Sequence, residues 1–90
     1  MMVRIRLTTL LAERIGGVST VEVAGHTVTA ALRALTARYP ELLPLIWTRA
    51  GAVNPMMAVF RNDQHLEAHQ LGTPLQPGDQ IDLVPAVAGG

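Results

Sequence analysis

The ninety residues include no cysteine, no lysine, and only one tryptophan, one tyrosine and one phenylalanine. Without cysteine there can be no disulfide, zinc ribbon, iron–sulfur cluster or thiol nucleophile, so the core must hold the fold unaided. Without lysine there is no phosphate-loop lysine, no Schiff-base amine and no side-chain amine to acylate; Met1 carries the one amine. The seven arginines, at positions 4, 6, 14, 33, 38, 49 and 61, are scattered and matched by seven acidic residues. That balance gives no basic stripe for phosphates, and three aromatics make a poor stacking platform, so nucleic acid is not an expected partner. No apolar run reaches the ~18 residues of a membrane span. The opening Met1-Met2-Val3-Arg4-Ile5-Arg6 has no long apolar stretch before a small-residue cleavage site. No membrane partner is expected, and a cytoplasmic location is.

What is present is aliphatic. Hydrophobic residues are 49% of the chain, enough for one modest core and one domain. Val3, Ile5 and Leu7 alternate with Arg4 and Arg6, the period of a strand with one buried face. Leu10 to Ile15 suit a short helical turn ending at Gly16-Gly17, and Ser19, Val21 and Val23 alternate with Thr20 and Glu22 as a second strand ending at Gly25. Val28, Ala31, Leu32, Leu35 and Tyr39 share one helical face, with Thr27 as the cap and Arg33, Thr36 and Arg38 outside. Pro40 stops this helix, with Arg38 against its negative end. Residues 40–54 read as a loop whose Leu42, Leu43, Leu45, Ile46 and Trp47 fold back as a lid on the core.

Met56 to Phe60 reads as a strand, Asn62-Asp63 as a turn, and His65 to Glu67 as a short irregular strand. Pro77-Gly78-Asp79 is a strong turn into Gln80 to Val84, where Ile81 and Leu83 face inward and Val84 is an exposed hydrophobe. The expected class is α+β: a mixed sheet of four to five strands with one main helix on one face.

After Val84 the chain reads Pro85-Ala86-Val87-Ala88-Gly89-Gly90. Pro85 lacks an amide hydrogen and is expected to end the ladder. The division is then a domain over 1–84 and a flexible tail over 85–90. Without side chains at Gly89 and Gly90, the backbone can enter a narrow channel and bring a carboxylate close to a nucleotide phosphate. Ordering each tail residue costs about 1–2 kcal/mol, so a docking face must supply affinity. Val84, with Phe60 and Arg61, is the candidate face.

Val3 to Leu7, the Thr27 to Tyr39 helix, Leu75-Gln76-Pro77-Gly78-Asp79-Gln80-Ile81 and the ending Leu83 to Gly90 together resemble the prokaryotic ubiquitin-like sulfur carriers. The resemblance covers nearly the whole chain. It implies a β-grasp fold whose last strand lies parallel to the first. It also implies a cycle in which an ATP-dependent activating enzyme adenylates the Gly90 carboxylate and sulfur replaces AMP. The resulting thiocarboxylate donates sulfur to a synthase, and Pro85, Ala86, Val87, Ala88 and Gly89 thread the tail. No catalytic residue and no bound cofactor are implied; ATP belongs to the activating enzyme. The segment 40–54 favours the molybdopterin or cysteine branch over the thiamine carriers. The rival reading is a ubiquitin-like interaction module or a protein modifier whose Gly90 forms an amide with lysines elsewhere. His65 and His69 lack a third partner and read as solvated loop histidines rather than metal ligands. Ser19 has no nucleophile-elbow context. Met56 and Met57 read as core and edge packing rather than a binding surface.

Overall fold

The alternation at the start of the chain becomes strand β1, Met2–Leu7, with Val3, Ile5 and Leu7 buried. The computed structural model describes residues 1–86. On one side of β1 lies β2, Thr20–Ala24, antiparallel, with Val3 opposite Val23 and Ile5 opposite Val21. On its other side lies β5, Gln80–Pro85, parallel, with Ile5 opposite Ile81 and Leu7 opposite Leu83. Strand β3, Met57–Arg61, is antiparallel to β5, and β4, Gln64–Leu66, is antiparallel to β3. The sheet order is therefore β2-β1-β5-β3-β4. Because side chains alternate across each strand, the in-register Val, Ile and Leu of four strands make one continuous apolar face.

Helix α2, Val28–Arg38, covers that face with Val28, Ala31, Leu32 and Leu35, all at 0% exposure. Enclosing a Leu or Ile side chain stabilises by roughly 1.5–3 kcal/mol, which is how so small a chain dispenses with a covalent staple. Thr27 caps the helix as its pattern suggested: its hydroxyl accepts from the Ala30 amide at 3.1 Å. Gly25 sets how closely β2 passes α2. A Cβ there would lie 2.7 Å from the Ala31 nitrogen and 2.8 Å from its Cα, both backbone atoms.

The short helix α1, Thr9–Glu13, follows β1 and closes with the Gly17 amide donating to the Ala12 carbonyl. The turn expected at residues 62 and 63 forms a two-residue hairpin between β3 and β4, with positive φ at both Asn62 and Asp63. Pro77 and Gly78 form the other tight turn; Gly78 has φ +83°, and the Asp79 amide donates to the Gln76 carbonyl. The segment between β4 and β5 straps the start of α2, where the Leu75 amide donates to the His26 carbonyl and buries Leu71 and Leu75.

Several expectations need correction. Residues 40–54 are not a plain loop: a 3-10 turn over Pro40–Leu42 leads into α3, Leu43–Ile46, and Trp47 bridges Val53. Leu42, Ile46 and Trp47 do pack on the core, but Leu43 stays 47% exposed, because one turn of helix cannot turn all its apolar side chains inward. Thr36, expected on the outer side of the helix, is buried. Its hydroxyl accepts from the Trp47 indole at 3.1 Å and donates back to the Leu32 carbonyl, so no polar atom of that pair is stranded. Arg38 does sit in the last turn of α2, against its negative end, and its guanidinium also donates to the Glu22 carbonyl of β2.

Pro85 does not end the ladder. It lies opposite Met57, and the Ala86 amide beyond it donates to the Met56 carbonyl at 2.6 Å. Amides of successive strand residues point to opposite sides, so the Ala86 bond places the Pro85 nitrogen toward β1. There β1 has already ended at Leu7, and no ladder bond is lost.

Candidate functional site

The central position of β5 sets the site, since it delivers the chain out of the middle of the sheet at Pro85 and Ala86. The face opposite α2 is open. On it Val84 stands opposite Ala58, and Phe60 stands opposite Asp82, so Val84 and Phe60 are diagonal neighbours. Val84 is 37% exposed, as its register predicts, and Phe60 is half-buried with its ring edge-on to His65, centroids 5.3 Å apart. A shallow depression of about 480 Å³ runs between them, bordered by Arg6, Thr8, Asp63 and Asp82.

Two ion pairs lie on this face. Arg6 grips Asp82 with both ends of its guanidinium, Nε to Oδ1 at 2.7 Å and Nη2 to Oδ2 at 3.0 Å. That hydrogen bonding, and then the carboxylate charge, raises the Arg6 pKa. Arg4 and Glu22 pair more loosely at 3.7 Å on the same face. A second hollow is lined by Thr8, Thr9, Leu10, Val84 and Pro85. Leu10, 46% exposed, borders this hollow with Val84, and Met56, expected as packing but 49% exposed, lies on the other side of Ala86, whose amide donates to its carbonyl, so Leu10, Val84 and Met56 make an apolar collar at Pro85 and Ala86.

Leu10 was not singled out from the sequence. In α1 the residues turned to the core are Leu11 and Ala12, which leaves Leu10 on the outer side.

Arg61 is not on this face. By alternation it shares the side of Met57 and Val59, at the end of β3 remote from the tail exit, and its Nε donates to Asp79 Oδ2 at 2.9 Å. Asp79 is buried and also accepts from the Gln76 amide at 2.8 Å and from Asn62 Nδ2 at 2.9 Å. The Gln76 amide first, then Asn62 and Arg61, hold its carboxyl below the usual range against the opposing pull of burial. This clamp ties the β3–β4 hairpin to the turn before β5.

Of the tail residues, Pro85 and Ala86 are placed as above. Val87, Ala88, Gly89 and Gly90 lie outside the described residues. Among the described residues no three His, Asp or Glu side chains converge as a metal site, and no helix is long and apolar enough to cross a membrane. His65 lies 3.6 Å from Glu67 on the surface.

The sequence pattern of the ThiS family matches residues 5–90, from β1 through the tail. The chain belongs to the ThiS family. It is thus a member of the ubiquitin-like sulfur carriers, and the parallel β1–β5 pair beneath one helix is their β-grasp fold. The sulfur carrier protein CysO of Mycobacterium bovis is 28% identical over 93 residues, spanning the whole of both chains. Among solved structures, SAMP1 of Haloferax volcanii is similar with a TM-score of 0.88 and 31% identity, covering all of both chains. A chain of the Amycolatopsis orientalis BexX/CysO complex is similar with a TM-score of 0.83 and 26% identity, over 98% of this chain and 99% of that one.

Proposed function

We propose that this ThiS-family chain carries sulfur on the carboxyl of Gly90, as a co-substrate of other enzymes and without catalytic groups of its own. An activating enzyme transfers AMP from ATP to the carboxylate, making a mixed anhydride. Sulfur then displaces AMP to leave a thiocarboxylate, and a synthase takes the sulfur for its product. The observation that supports this best is the placement of β5: the central strand of a sulfur-carrier fold leads to Pro85 and Ala86 beside an exposed apolar collar, with Asp82 on that strand paired to Arg6. Arginine–carboxylate pairs present no net charge for a partner to desolvate, so Leu10, Met56 and Val84 supply docking by burial, helped by Phe60. The full-length likeness to CysO favours the cysteine branch over the molybdopterin one, and the Amycolatopsis complex supports a sulfur-accepting partner. ATP belongs to the activating enzyme, and the cycle suits the cytoplasm.

Intact mass after incubation with ATP, an activating enzyme and sulfide tests the proposal. The expected product has one terminal oxygen exchanged for sulfur, and a chain lacking Gly90 stays unchanged. An unmodified full-length chain, under conditions that charge a known carrier, would refute it. The likeness to SAMP1, a small archaeal modifier protein, favours a second reading in which Gly90 is joined to lysine amines of other proteins. Conjugates appearing in place of the thiocarboxylate would establish that one.

A further inference from the structure

An acyl adenylate reacts at neutral pH with thiolates and with unprotonated amines. The new C–S or C–N bond forms as the C–O bond to phosphate breaks, AMP leaves with the electron pair, and an attacking amine gives up one proton. A carrier that bore such nucleophiles near its own activated end would consume itself. Residues 1–90 contain neither cysteine nor lysine; the three histidines can take the acyl group only as an imidazolide, which water returns to the acid, so among groups that form a lasting bond only hydroxyls, which are weak nucleophiles at their free pKa, and the amine of Met1 remain.

The sheet puts that amine out of reach. Strands β1 and β5 run parallel with Arg4 opposite Gln80, so Met1 stands three positions before this level and Ala86 six beyond it. Nine strand rises separate them, roughly 30 Å. The four residues from Val87 to Gly90 span at most about 14 Å even when fully extended.

We propose that the chain is a one-way acyl donor: the composition removes every side chain that would keep the acyl group as a thioester or an amide, and the parallel β1–β5 pair holds the Met1 amine out of reach. The proposal rests on the reading of Gly90 as the activated carboxyl. Once activated, the chain waits for sulfur or acylates a different molecule. Copies cannot be strung together through their side-chain amines.

The test needs no activating enzyme. The 90-residue chain is prepared with Gly90 as an alkyl thioester and followed by intact mass. The unaltered chain should lose the thioester to water alone, giving the free acid. Leu10→Lys sets an amine beside Val84 and Pro85, and Met56→Lys sets one beside Ala86. A short tether gives an effective concentration in the millimolar range, about 1,000-fold above a second copy at ~1 µM. Both variants should therefore form an internal amide, one water lighter than the free acid. Met2→Lys, at the far end of β1, should behave as the unaltered chain does. The proposal is overturned if the unaltered chain or Met2→Lys closes on itself, or if neither tail-side lysine does. Failure of the sulfur-carrier reading would show separately, as a full-length chain that ATP, activating enzyme and sulfide leave uncharged while these thioester results stand.

Discussion

Replacing Asp79 with alanine removes one carboxylate and leaves three donors, the Gln76 amide, Asn62 Nδ2 and Arg61 Nε, without their acceptor. Each hydrogen bond to a charged group contributes roughly 1.5–3 kcal/mol, but the three are not additive. The Arg61 side chain is 27% exposed and recovers part of its loss from water. A net cost of about 3 kcal/mol follows, at the low end for breaking a buried pair. For a domain of this size that lowers Tm by roughly 12–24 °C. Asp79→Asn keeps an acceptor for the Gln76 amide and Arg61 Nε, which share Oδ2, but turns its own NH₂ toward Asn62, so it should cost about half as much. The pH dependence has a definite sign. The Asp79 pKa is lowered in the folded chain. Its contribution is therefore complete above the unfolded carboxylate value of about 3.9 and is lost as pH falls through the folded value. The stability gap between the unaltered chain and Asp79→Asn should be widest at neutral pH and narrow below about pH 4. Urea unfolding followed by circular dichroism at both pH values measures it. An Asp79→Ala midpoint equal to that of the unaltered chain at pH 7, or an Asp79→Asn gap that widens on acidification, would refute the reasoning.

Thr36→Val preserves shape but strands the Trp47 indole N–H, at a cost of about 1–3 kcal/mol. That cost should shrink in a Trp47→Phe background, which a double-mutant cycle in denaturant measures. Gly25→Ala forces a methyl against the Ala31 backbone and should lose roughly 1–3 kcal/mol in the same assay, with an unchanged midpoint counting against the close approach. Val84→Arg should leave stability within about 0.5 kcal/mol. It should also weaken binding to the activating enzyme or synthase at least tenfold, about 1.4 kcal/mol, by isothermal titration; equal affinity would remove Val84 from the docking face.

The strands and the main helix were legible because their cores obey simple periods: Val3-Ile5-Leu7 and Ile81-Leu83 at two, Val28-Ala31-Leu32-Leu35 at the helical repeat. The Thr27 cap and the Pro77-Gly78 turn were legible because each residue type meets a local backbone demand. What escaped depends on partners distant in sequence. Thr36 looks like a surface residue until an indole eleven positions later needs an acceptor. Pro85 looks like a terminator until the end of β1 leaves its nitrogen without a neighbour to pair with. Arg61 reads as a contact residue by its position after Phe60, yet strand alternation and Asp79 assign it to the clamp. The apolar collar was half visible: Val84 follows from register, whereas Leu10 and Met56 are gathered to it only by the fold.

The placement of Trp47 has a practical corollary. It is the sole indole, its N–H held by Thr36 and its ring stacked under the Arg33 guanidinium 3.6 Å from the centroid, on the helical side of the sheet. Val84 and Phe60 occupy the reverse side. The molecule thus carries an optical gauge of its own integrity, one that brightens or shifts when the core opens and stays silent while a partner settles on the far surface. Any loss of fold during a binding experiment can thus be told apart from binding itself in the same cuvette, without a label.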